Sequence, residues 1–166
     1  MKKILSTLVF SVMITGLFAQ DFNVPTNYVL KSPSDYAKYE TDIIQCINWL
    51  MITPLNEQAS KRKEANAFFM QWLTGAPNVS VDIKQEIVTF MQPNGDLLMI
   101  FMGGWVKYAL ENKDYKNKFQ SNLKGIESVI EFYQKNLNSL KRDKNVEKYI
   151  KMKEKGTLED YITKNL

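Results

Sequence analysis

The sequence predicts an all-α protein, a compact helical bundle or array of antiparallel helical hairpins with about five to seven helices after a signal peptide. Three observations carry this. Apolar residues recur at steps of four and three through much of the chain, most regularly at Phe119, Leu123, Ile126, Ile130, Tyr133, Leu137 and Leu140. A second stretch, Leu97 to Met102 and Trp105 to Leu110, is apolar almost all round apart from Lys107, as expected of the buried helix of a small bundle. Proline and glycine punctuate the intervals at Pro54, Gly75, Pro77, Pro93 and Gly95.

The first 20 residues read as a signal peptide: Lys2 and Lys3 precede an apolar run from Ile4 to Ala19, with cleavage expected near Ala19 or Gln20. At about 16 residues the run is shorter than the roughly 20 that a spanning helix needs. Cys46 lies far downstream of the cut, so no lipid anchor is expected, and the mature chain should be exported, periplasmic or secreted, without stable membrane insertion. Residues 21–31, with Pro25 and two asparagines, read as an extended arm, and 32–166 as a single helical domain.

The first helix should start at Ser32, with Pro33 at its first position and Asp35 completing a capping box. Tyr36, Tyr39, Ile43, Cys46, Ile47 and Leu50 form one face, and Pro54 ends it. A second helix follows Asn56 with Ala65, Phe68, Phe69, Trp72 and Leu73 on its apolar face, and Gly75 and Pro77 stop it. Val79 to Val81 reads as a short extended piece, Asp82 to Met91 as a short helix, and Pro93, Asn94 and Gly95 as a turn after which Asp96 caps the buried helix. The heptad helix comes next, then one helix carrying Val146, Tyr149 and Ile150 and another opened by Thr157 with Asp160.

Gly103 and Gly104 interrupt the buried helix and Gly125 the heptad helix, each at a cost of about 1 kcal/mol relative to alanine. If the two helices turn near Asp114, Gly104 and Gly125 lie at the same height, and close backbone approach would account for them. Relief of crowding by a neighbouring aromatic is the alternative. The glycine and tyrosine spacing departs from that of tetratricopeptide hairpins, so the resemblance is to helical hairpins in general. The runs Arg62 to Ser80 and Phe101 to Tyr108 resemble uncharacterised exported bacterial proteins of helical type, which implies the compartment and the class and brings no activity.

Composition narrows the function. The chain carries 22 basic and 18 acidic residues, one cysteine and no histidine. With 45% hydrophobic and 24% charged residues it is ordinary for a globular domain, and disorder is not expected. Absent histidine removes the commonest general base and metal ligand. Loss of Lys2 and Lys3 leaves a net charge of +2, which gives no support to nucleic-acid binding. That charge is uneven: residues 21–106 hold 6 basic and 9 acidic side chains, residues 107–166 hold 14 and 9.

Candidate chemistry is sparse. Ser60 with Lys63 and Ser121 with Lys124 match a Ser-x-x-Lys spacing but lack its companion motifs. The carboxylate pairs Asp82 with Glu86 and Glu127 with Glu131 read as solvated faces rather than as the acid and base of a glycosidase. Cys46 sits on an apolar helix face and reads as core. No metal, phosphate loop or cofactor is expected.

Two surfaces remain. Met70, Trp72, Met91, Met99, Met102 and Trp105 mark a possible apolar pocket, with plain core as the alternative. Lys61, Arg62 and Lys63, with Lys141, Arg142, Lys144, Lys148 and Lys151, mark a possible partner surface, with a solvated face as the alternative. The leading expectation is an exported protein-interaction module without catalytic activity, bound to an unknown protein partner. The alternative is a carrier for a small apolar ligand, and an enzyme with an unrecognised carboxylate or Ser-Lys site ranks last.

Overall fold

The computed structural model describes residues 22–90 and 92–166, so the segment expected to be a signal peptide, with its expected cleavage site, and Met91 lie outside the described residues. Among the described residues there are seven helices and no strand: α1 Pro33–Lys38, α2 Glu40–Ile52, α3 Ala59–Gly75, α4 Asp96–Asn112, α5 Lys118–Lys135, α6 Lys144–Glu154 and α7 Leu158–Lys164. The class is all-α, as the periodicity predicts.

The α4–α5 hairpin is the centre, packed together more extensively than any other pair of helices. Lys113, at φ 52°, closes α4 in the left-handed conformation, and the Asn117 side chain caps α5 by accepting from Gln120 N. The glycines explain the closeness of the pair. A Cβ on Gly104 would lie 2.6 Å from Lys124 O and 3.0 Å from Gly125 Cα, and one on Gly125 would lie 3.0 Å from Phe101 O. Both sequence arguments hold at Gly125, where the same added atom would also lie 2.6 Å from the Phe101 ring. Backbone meets backbone at this level, and only glycine permits it.

α2 packs on α4, and α3 on α2. Ile43, Cys46, Ile47, Phe68, Phe69, Trp72, Phe101, Val106, Ile126 and Phe132 close the core between them, with Val146 and Ile162 of the last two helices. Phe22, at the start of the described chain, is already buried in it.

Four local expectations need correction. The single first helix is two, because the chain leaves helical geometry at Tyr39 (φ −97°, ψ 3°), whose ring stacks edge-on with Phe68 at 6.2 Å. α5 stops at Lys135, where Asn136 caps it, so Leu137 of the heptad seam is 58% exposed. Gly95, not Asp96, is the N-cap of α4, whereas Thr157 is the N-cap of α7 as expected.

The fourth correction matters most. No helix forms over residues 82–90. Ile87, Val88 and Phe90 are all buried. The carbonyls of Glu86, Ile87 and Thr89 accept instead from Tyr161 Oη, Tyr149 Oη and Asn145 Nδ2 of α6 and α7. Residues 76–95 therefore run as an irregular strap, pinned in its second half by side chains from the last two helices.

Candidate functional site

The first half of the strap borders an open depression. Residues 78–83 belong to no helix or strand, and neither their N–H nor their C=O groups make a backbone hydrogen bond to another described residue. Along this stretch Val79, Val81 and Ile83 alternate with Ser80 and Asp82. Val79, Val81 and Ile83, with Asn78 and Ser80, line an open depression of about 460 Å³ together with Met70 and Leu73 of α3 and Met102 of α4. Met70 and Ile83 are 38% and 41% exposed, a small apolar patch open to solvent. Asp82 is anchored to Lys118 at 2.8 Å, and this contact holds its carboxyl below the usual range.

The predicted pocket residues do not all meet. Met70 and Met102 line the depression. Trp72 stands two residues from Met70, on the opposite side of α3, where it is buried and donates from Nε1 to Tyr36 O at 3.0 Å. Trp105 is core, edge-on to Phe101 at 6.1 Å, and Met99 is half-buried against the same core. Of the predicted pocket, Met70 and Met102 therefore line the depression and Trp72, Met99 and Trp105 do not, while Met91 lies outside the described residues. Leu73, Val79, Val81 and Ile83 were missed, although the alternation at 79, 81 and 83 is a strand-like signal in the sequence.

The predicted basic surface also divides. Arg62 is a correction, because it is buried rather than presented to a partner. Its guanidinium donates to Leu50 O at 3.1 Å and to Thr53 O at 2.5 Å, closing the carbonyl end of α2, and lies 5.7 Å from the ring centres of both Trp49 and Phe132. Burial lowers its pKa, partly offset by the charge of Asp96. Lys61 lies over the Trp49 ring at 5.1 Å, and Lys63 is exposed. Arg142 forks onto Glu147 at 2.7 and 3.0 Å, whereas Lys141, Lys144, Lys148 and Lys151 are exposed.

The catalytic candidates are engaged elsewhere. Ser60 Oγ donates to Glu64, and Ser121 is buried while Lys124 binds Glu127 at 2.7 Å. Glu127 is also bridged by Lys153 at 3.2 Å; burial favours its neutral form, but the two ammonium groups outweigh that and lower its pKa. A second groove, of about 290 Å³ over Gly104, is lined by charges that pair with one another, such as Lys107 with Glu111 at 3.8 Å. Cys46 is fully buried, donates to Ala65 O, and its thiol pKa is pushed up to about 12 by desolvation.

Among the described residues no cluster of three or more cysteine or carboxylate side chains is placed to hold a metal, and no helix is long and apolar enough to cross a membrane. Comparison with known protein families, with curated proteins and with solved structures found no match to this chain.

Proposed function

We propose that the mature, exported chain is a protein-interaction module without catalytic activity, which receives an extended, apolar polypeptide segment in the depression beside residues 78–83. One observation carries the reading. The unpaired backbone of 78–83 and the apolar row Val79, Val81 and Ile83 stand together at one open site. An extended peptide answers both features at once, because it supplies main-chain hydrogen bonds to the edge and alternate side chains to the depression.

The alternative, carriage of a small apolar ligand, draws on the same lining and on a volume within the usual range for ligand sites. The depression is open rather than enclosed, and a small ligand would leave the backbone edge unpaired. The polypeptide reading is favoured on that ground.

The test is selection of displayed random peptides on the protein, followed by amide NMR titration with the winners. The expected peptides carry β-branched or aromatic residues at alternate positions and shift signals of residues 70–83 and 102. They should lose binding to the variant Met70→Asp with Ile83→Asp, two exposed positions whose change leaves the core intact. Peptides that bind this variant equally well, or that shift signals elsewhere, would contradict the proposal.

A further inference from the structure

We infer that the outward face of α6 adsorbs to an anionic lipid surface by charge, a second and separate site from the depression. Lys144, Lys148, Lys151 and Lys155 recur at steps of four, three and four, which gathers them within about 60° of the helix circumference. All four are exposed, and Lys141 extends the row toward the preceding loop. The opposite side of α6 is committed to the fold: Val146 and Tyr149 are buried, and Lys153 turns back to Glu127.

The acids nearby do not cancel the row. Glu147, beside it, is already forked by Arg142, and Glu127 is taken by Lys153 and Lys124. Glu154 flanks the row from α6, and Glu159 and Asp160 belong to the first turn of α7, next in the chain. Lys148 also lies over the Tyr161 ring at 5.0 Å, which steadies its stem while its ammonium stays exposed.

The chemistry of the row selects the kind of partner. Its cations are all lysines, compact point charges without the fork that reads individual carboxylates, and the one arginine nearby is already used by Glu147. They stand on a convex helix face, and the depression between α5 and α6 is lined by Ile150, Lys153 and Glu154 rather than by these four. A flat, diffuse layer of phosphate headgroups complements such a row, each lysine adding a small salt-sensitive increment. The apolar side of α6 is in the core, so contact is peripheral, without insertion.

Co-sedimentation with phosphatidylglycerol and with phosphatidylcholine vesicles tests this, at low and high salt. Residues 20–166 are used, which carry all seven helices and the whole buried core and omit the apolar leader. Binding is expected to the phosphatidylglycerol vesicles alone and to vanish at high salt. The variant K144Q/K148Q/K151Q/K155Q should bind about 500-fold more weakly, from an increment per lysine of about fivefold. The control K31Q/K38Q/K63Q/K116Q has the same net charge and should bind within about threefold of the parent. Circular dichroism checks that both variants keep their helix content. Equal losses in the two variants, equal binding to both vesicles, or binding to soluble polyglutamate without binding to vesicles would each overturn the inference.

Discussion

Arg62 shows how a residue's role depends on neighbours that its own segment does not reveal. Beside Lys61 and Lys63 it looks like a surface charge, yet its guanidinium satisfies carbonyls at the end of α2 and sits between two aromatic rings. Removing it leaves those acceptors buried without a donor, so Arg62→Ala is expected to lower stability in urea unfolding by about 3 kcal/mol. Arg62→Lys, which keeps the charge but not the fork, should fall between the two, and a loss below about 1 kcal/mol for the alanine variant would contradict the capping role. Cys46 is the opposite case, legible from its apolar helix face alone. With its pKa near 12, the thiol should resist alkylation at pH 8 in the folded protein and react at once in denaturant. Glu127 sets a pH dependence. Its folded pKa lies below the unfolded one, so the stability it contributes is present above the ordinary carboxylate value and drains as pH falls through the folded value. Lys153→Met removes one of the two ammonium partners, and should raise the Glu127 titration in carboxyl NMR and flatten the acid decline of stability.

At the scale of elements, periodicity located the long helices and failed where side chains from elsewhere capture the backbone. α3, α4 and α5 fall where the three-and-four spacing places them, and the meeting of Gly104 with Gly125 follows from counting residues on either side of the turn. The contrast between neighbouring glycines is a direct check. Gly104→Ala would drive a methyl into Lys124 O and Gly125 and should cost about 2 kcal/mol or more, despite the roughly 1 kcal/mol gained in helix propensity. Gly103→Ala meets side chains rather than backbone, Ile47 Cγ2 at 3.1 Å and Met51 Cε at 3.4 Å, and should be near neutral in thermal melts. The strap was not legible because its conformation is set by Tyr149, Tyr161 and Asn145, some 56 to 75 residues away in sequence. Hydrogen exchange should divide it: the amides of Ile87 and Val88, bonded to Lys84 O, exchange slowly, and those of residues 78–83 exchange near open-chain rates.

For the whole molecule, the account is a closed helical core that spends its aromatic residues on packing and leaves one edge of the strap unpaired. The class and the central hairpin were both readable in the sequence, because each depends on local pattern. The site was readable only in part. Met70 and Met102 were identifiable as soft apolar residues, but their joining with Val79, Val81 and Ile83 depends on where the strap crosses α3 and α4, a long-range outcome. The most direct test places a photo-crosslinking residue at Ile83, and in a parallel variant at Leu137, which is also exposed but lies outside the depression. In the living host, the Ile83 variant is predicted to yield a discrete polypeptide adduct, joined through a segment with alternating apolar residues, that the Leu137 variant does not form. No adduct at Ile83, or the same adducts from both positions, would contradict the account.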